Sequence, residues 1–63
     1  MNYVELIRRQ AEQVFGNKEK ADIWLNRPKK AFGNATPLGS VSSEAGYLLV
    51  KDELERIGQG YAS

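Results

Sequence analysis

The chain has 63 residues, of which nine are basic and eight acidic, and it contains no cysteine and no histidine. A chain this short makes one domain at most and buries only about 60% of the surface that its unfolded form exposes, and neither disulfides nor the usual zinc ligands can reinforce it. The near-zero net charge removes the bulk attraction that draws proteins to nucleic acid or anionic membranes.

The first predicted element is a helix over residues 3–15. Apolar residues recur there at helical intervals, with charged and polar residues between them. They are Tyr3, Val4, Leu6, Ile7, Ala11, Val14 and Phe15. Gly16 suits the left-handed position that follows a helix, and Asn17 is a good N-cap for the next one. The sequence therefore predicts a two-residue turn into a second helix.

The second predicted helix runs from Lys18 to Arg27. Ala21, Trp24 and Leu25 share one face of it, and Pro28 disfavours helical geometry at the residue before it. This element is therefore short and ends at the proline.

Residues 28–36 are typical of a turn, with Phe32 as their one bulky apolar anchor. Asn34 follows Gly33 and tolerates left-handed backbone angles better than most residues. Thr36 and Pro37 then form an N-cap followed by a first helical residue, which predicts a short helix that reaches about Val41.

The last predicted helix spans about 43–57, after a new start at Ser42 and Ser43, and we expect Gly58 to end it. Its buried stripe consists of Tyr47, Val50, Leu54 and Ile57. On the outer face, Asp52 and Arg56 have the spacing of an i, i+4 ion pair, worth about 0.2 to 0.5 kcal/mol.

Gly46 is unusual inside this helix, because a helical glycine costs roughly 1 kcal/mol relative to alanine. It lies either in a frayed first turn or where another helix crosses too closely to admit a Cβ, and we favour the close crossing. The predicted fold is all-α: a small compact bundle of two longer helices (about 3–15 and 43–57) and two or three short ones.

Catalytic patterns are missing from the sequence. Without histidine and cysteine, the commonest general base, thiol nucleophile and metal ligands are absent, and the acidic residues are scattered over helix faces. None of the six glycines belongs to a phosphate-binding motif. We therefore expect no enzyme activity, no cofactor and no metal site.

A basic cluster beside two aromatic residues suggests a nucleic-acid surface, since single-strand binders combine cations with stacking rings. The cluster comprises Arg27, Lys29 and Lys30, between Trp24 and Phe32. The core needs both aromatic side chains, however, and the last helix carries acids that would face phosphate. DNA binding by this chain alone therefore ranks as a distant alternative.

An ordered series of landmarks runs along most of the chain. It consists of Ala21, Trp24, Leu25, Pro28, Phe32, Gly33, Thr36, Pro37 and Leu38, then Gly46, Val50, Leu54, Ile57 and Gly60. In its order and spacing this series, which covers about residues 11–61, resembles the C-terminal toxin-binding domain of the Xre/MbcA/ParS antitoxins, the partners of RES-domain toxins.

The resemblance implies a bacterial, cytoplasmic, all-helical antitoxin of a type II toxin-antitoxin pair. It implies a RES-domain partner that consumes NAD⁺ and is neutralised by protein contact, as the C-terminal segment of the antitoxin blocks its active-site cleft. In this sequence the blocking residues would be Arg56, Ile57, Gly58, Gln59, Gly60 and Tyr61. We call residues 56–61 the C-terminal segment.

Members of this family commonly carry a helix-turn-helix region before the toxin-binding domain, and residues 1–63 are expected to be that domain alone. The family's DNA binding is therefore not carried over. The alternatives that stay open are a DNA-binding or transcription-regulating accessory module, a fragment of a larger Xre-like antitoxin, and a self-associating helical module. No apolar run predicts a membrane span or a signal peptide, so the cytoplasm is expected.

Overall fold

The computed structural model describes the backbone of residues 2–62 and the side chains of residues 2–60. It contains four α-helices, which are α1 (Tyr3–Phe15), α2 (Lys18–Leu25), α3 (Pro37–Ser40) and α4 (Glu44–Ala62). A 3₁₀ turn at Lys30–Phe32 lies between α2 and α3, and residues 2–62 form no strand. The predicted all-α bundle of two longer and several short helices is confirmed.

The four α-helices begin in the same way: a side-chain oxygen accepts a hydrogen bond from the backbone N–H three residues later, at 3.0 to 3.2 Å. The capping residues are Asn2, Asn17, Thr36 and Ser43. Each cap pairs a donor that the first turn otherwise leaves without a partner. The last three were predicted from the sequence and are confirmed.

The second helix ends earlier than predicted. It stops at Leu25 and not at Arg27, because Asn26 caps it: its backbone N–H and its side-chain Nδ2 both donate to the carbonyl oxygen of Asp22, at 3.1 and 2.8 Å. An asparagine side chain that bonds the backbone competes with continuation of the helix.

The turn between α2 and α3 is closed by its own backbone. The N–H of Lys29 donates to the carbonyl oxygen of Ala35 at 3.1 Å, and the carbonyl of Lys29 accepts from the N–H of Asn34 at 2.9 Å. Asn34 has φ 70° and Gly33 has φ 66°, so the left-handed geometry predicted at Asn34 is confirmed. These bonds fix Phe32 against the core.

The two long helices run parallel to each other. The rings of Tyr3 and Tyr47 stack with centroids 4.7 Å apart near the starts of α1 and α4. Near the ends, a Cβ added to Gly58 would lie 3.4 Å from Cγ2 of Val14. Both helices therefore run in the same direction, from their N-termini at one end of the molecule to their C-termini at the other. Gly58 lies level with the penultimate residue of α1, and the last turn of α4 extends past the end of α1.

The core lies where α1, α2 and α4 meet. Its buried apolar residues are Ile7, Ala11, Ala21, Leu25, Val41, Val50 and Leu54. No polar or charged residue within the described part of the chain is buried. No helix in this part is both long enough and apolar enough to cross a bilayer.

Gly46 lies against the end of α3. A Cβ at this position would lie 1.7 Å from the carbonyl oxygen of Ser40 and 2.9 Å from its carbon. No side chain fits at such distances, so the predicted close approach at this glycine is confirmed. The neighbour is the last residue of the short helix α3.

Gly46→Ala should strongly destabilise the domain, because the new methyl group collides with backbone and not with a movable side chain. Overpacking typically costs about 1 to 3 kcal/mol, and a domain of this size has only roughly 3 to 9 kcal/mol in total. Urea unfolding followed by circular dichroism measures the change. A variant as stable as the parent would show that α3 shifts freely.

Trp24→Ala should cost about 3 kcal/mol, since the indole packs between Phe15 and Phe32 at centroid distances of 6.1 and 6.4 Å. The matched control is Ile23→Ala, at the neighbouring position, whose residue is 57% exposed. The control should change the unfolding free energy by no more than about 0.5 kcal/mol. Equal losses in the two variants would contradict a packing role for Trp24.

Candidate functional site

The C-terminal segment is helical. Helix α4 continues to Ala62, so the predicted helix end near Ile57, with Gly58 as its terminating residue, is wrong. Within residues 2–62 the glycines with positive φ are Gly16 and Gly33, so Gly58 does not adopt the left-handed geometry of a helix end. Gly58 instead lies inside the helix, beside Val14 of α1.

The six predicted partner-binding residues are divided between two sides of α4. Ile57 and Gly58 are half-buried, and Gly58 faces Val14 of α1. Arg56, Gln59 and Gly60 are exposed. The structure therefore brings only part of the predicted set to a surface that a partner can reach, and the side chain of Tyr61 lies outside the described residues.

Arg56 is held in a small ion-pair network on the outer face of α4. Its Nη2 lies 2.9 Å from Oδ2 of Asp52 and 3.4 Å from Oε1 of Glu53. The predicted Asp52–Arg56 pair is confirmed. The arginine side chain remains 67% exposed, so the pairing orients the guanidinium without burying it.

A second ion pair on α4 joins Lys51 and Glu55, each of which directly precedes a member of the Asp52–Arg56 pair. Nζ of Lys51 is 2.6 Å from Oε1 of Glu55, and this hydrogen bond, together with the attraction of the carboxylate, raises the pKa of Lys51. Because a raised lysine pKa favours the charged form in the folded state, the stability linked to the titration of Lys51 is complete at neutral pH and is lost as alkaline pH passes that pKa.

Two exposed leucines on α4 were not singled out by the sequence analysis. Leu48 is 54% exposed and Leu49 is 47% exposed. Both lie outside the buried stripe that includes Val50 and Leu54. Their exposure could have been predicted from their spacing. Neither leucine lies three or four residues from Leu54, the spacing that places two residues on the same helix face.

These leucines belong to a continuous exposed stripe of α4, which we call the α4 ridge. Helical geometry of 100° per residue places its members within about one third of the helix circumference. They are Leu48, Leu49, Asp52, Arg56, Gln59 and Gly60, all exposed. From Leu48 to Gly60 the ridge is about 18 Å long at 1.5 Å per residue.

The three cations of the basic cluster considered for nucleic-acid binding have different surroundings. Nζ of Lys29 lies 5.6 Å from the ring centroid of Trp24, so this cation covers the indole. Arg27 and Lys30 are exposed. Trp24 and Phe32 pack against the core, as the sequence analysis favoured, so their faces are not free platforms for bases.

The part of the chain that the structure describes contains no group of three acidic, cysteine or histidine side chains placed to hold a metal ion. It also has no pocket. Its main chemical feature is a convex helical surface that combines apolar, ionic and small residues. Such a surface is suited to contact with another protein.

Gly58→Ala with Gly60→Ala should stabilise the domain by about 0.5 to 1 kcal/mol, because both glycines are helical and an added methyl group meets at most ordinary contact with Val14. Thermal unfolding by circular dichroism measures this. The matched control is Gly16→Ala, which forces alanine to φ 66° and should destabilise the domain by about 1 kcal/mol. A destabilised double variant would contradict a helical C-terminal segment.

Comparison with known proteins gives two matches. Residues 10–60 match the model of the family described as the antitoxin Xre/MbcA/ParS C-terminal toxin-binding domain. The protein Antitoxin Xre of Pseudomonas putida strain KT2440 is 39% identical over 51 residues, which cover 81% of this chain and 32% of that protein. The chain thus spans about a third of the length of that relative.

No solved structure gives a significant match. The family match covers well over half of the chain and includes α2, α3 and nearly all of α4. The chain therefore belongs to the family of antitoxin Xre/MbcA/ParS C-terminal toxin-binding domains.

Proposed function

We propose that this domain neutralises a RES-domain toxin that consumes NAD⁺, and that its C-terminal segment blocks the toxin's active-site cleft. Membership of a toxin-binding family of antitoxins supports a toxin as partner, and the similarity to Antitoxin Xre supports the same role. The pair would act in the bacterial cytoplasm, without a cofactor on this chain.

The observation that carries the proposal is the position of the last turn of α4. Gly58 lies beside Val14, so the helix projects past the end of α1 with Gln59 and Gly60 exposed. An exposed helical end of this kind can contact a concave site. The packing of Gly58 on α1 holds this end in place before the toxin binds, which reduces the entropy lost on binding.

The residue types of this end also suit a blocking contact. Gly60 has no side chain, so the backbone there can approach another surface closely. Arg56 is exposed and already oriented by Asp52 and Glu53. Arginine is among the residues most enriched at positions that dominate binding energy. Part of the blocking role thus falls to a helix and not to an extended tail.

Removal of residues 58–63 should leave the domain folded but should abolish or strongly weaken protection of NAD⁺. The fully buried core of α4 ends at Leu54, so the truncation spares it. The measurement is the rate of NAD⁺ loss with a RES-domain toxin encoded beside this gene, with the toxin alone and the toxin with the full chain as references.

Circular dichroism of the truncated chain provides the control for folding. If the truncated domain is folded and still protects NAD⁺ as well as the full chain, blocking by the C-terminal segment is wrong for this protein. If the full chain neither binds the toxin nor slows NAD⁺ loss, the assignment of a RES-domain partner is wrong.

A further inference from the structure

The size of the C-terminal segment limits how much binding energy it can supply. A stable protein–protein interface buries about 800 Å² on each partner, which is roughly a fifth of the 4313 Å² surface of this chain. The segment has six residues, of which two are glycines, and Ile57 and Gly58 lie partly buried on the domain itself. A tightly bound partner must therefore contact additional surface.

The α4 ridge is the surface that continues directly from the segment. Leu49 lies seven residues before Arg56 and eleven before Gly60, spacings that return to the same side of a helix within about 20°. Leu48 has the same eleven-residue relation to Gln59. A partner that holds the end of α4 therefore meets these leucines without turning around the helix.

Leu48 and Leu49 have the properties of apolar anchors. Their exposed fractions of 54% and 47% exceed those of Val4 and Leu6, the exposed apolar residues of α1. Full burial of an exposed leucine side chain is worth about 1.5 to 3 kcal/mol, so covering each of these half-exposed leucines is worth roughly half of that. Asp52 and Arg56 lie between these leucines and the end of the helix, with their charges already paired to each other. Because these two charges are paired, a partner that covers the ridge does not leave either of them without a counter-ion.

We propose that the toxin contacts the whole α4 ridge, with Leu48 and Leu49 as the apolar anchors of the interface and the C-terminal segment as the part that enters the cleft. This inference rests on the proposed function. It assigns affinity mainly to one end of the ridge and inhibition to the other.

A second copy of this chain fits the ridge less well. Two copies related by a two-fold axis can bring their leucines together, but Arg56 of each copy then lies outside the contact. They can instead pair Asp52 of one copy with Arg56 of the other. In that arrangement the axis passes at position 54, and Leu48 of one copy lies opposite Gly60 of the other. No two-fold register satisfies both groups, whereas a different protein can present an apolar site and polar groups at the required spacing.

The test uses the full-length chain with Leu48→Gln, Leu49→Gln and the double substitution, since glutamine keeps helix propensity while it removes the apolar group. The matched control is Ile23→Gln, which removes an equally exposed apolar residue from α2. Calorimetric titration against the RES-domain toxin measures Kd. Thermal unfolding checks that all variants fold.

The double variant should raise Kd by about tenfold or more, whereas Ile23→Gln should change it by less than about twofold. The chain that lacks residues 58–63 should still bind the toxin measurably although it no longer protects NAD⁺. A double variant that is folded and binds as tightly as the parent overturns the ridge proposal and leaves the blocking role of the segment intact.

Two other outcomes also decide against the ridge as a toxin contact. If the substitutions abolish self-association in light scattering and leave toxin binding unchanged, the ridge joins copies of this chain. If the parent chain does not bind the toxin, the proposed function fails and the ridge assignment fails with it.

Discussion

The contact between Gly46 and the carbonyl oxygen of Ser40 determines where α4 can lie. Any side chain at position 46 would overlap the end of α3, so the two backbones approach each other directly. The same glycine donates its N–H to Oγ of Ser43, the cap of α4. The start of α4 and its distance from α3 are thus constrained within a few residues. The contacts of Tyr47 with Tyr3 and of Gly58 with Val14 then hold α4 parallel to α1, and with it the orientation of the ridge.

Parallel packing assigns opposite roles to the two faces of α4. The face that carries Val50 and Leu54 completes a core that a chain of this size cannot build from α1 and α2 alone. The opposite face keeps Leu48 and Leu49 in solvent, although their burial would add stability. A partner that covers these residues would add to the stability of the domain, because binding to the folded state alone shifts the folding equilibrium.

Local chemistry made most of the fold predictable from the sequence. Asn17, Thr36 and Ser43 cap helices because their side-chain oxygens are available at short sequence separation, and Gly16 terminates α1 for an equally local reason. The end of α4 was mispredicted because a glycine normally signals a stop. Here Gly58 lies inside a helix that continues to Ala62 and faces Val14, a neighbour that is far away in sequence. The exposed leucines could have been found from their spacing, since neither lies three or four residues from Leu54, but the residue type alone does not show whether a leucine faces solvent or the core.

The parallel arrangement also brings helix termini together at one end of the molecule. Helices α1 and α4 terminate at the same end, and neither has a basic residue in its last turn. Each helix C-terminus carries the equivalent of about half a negative charge on its carbonyl groups. The N-terminus of α2 lies beside the C-terminus of α1, because only Gly16 and Asn17 separate the two helices, and its partial positive charge offsets that of α1. The partial negative charge at the end of α4 originates in the backbone, so no substitution of an acidic residue removes it.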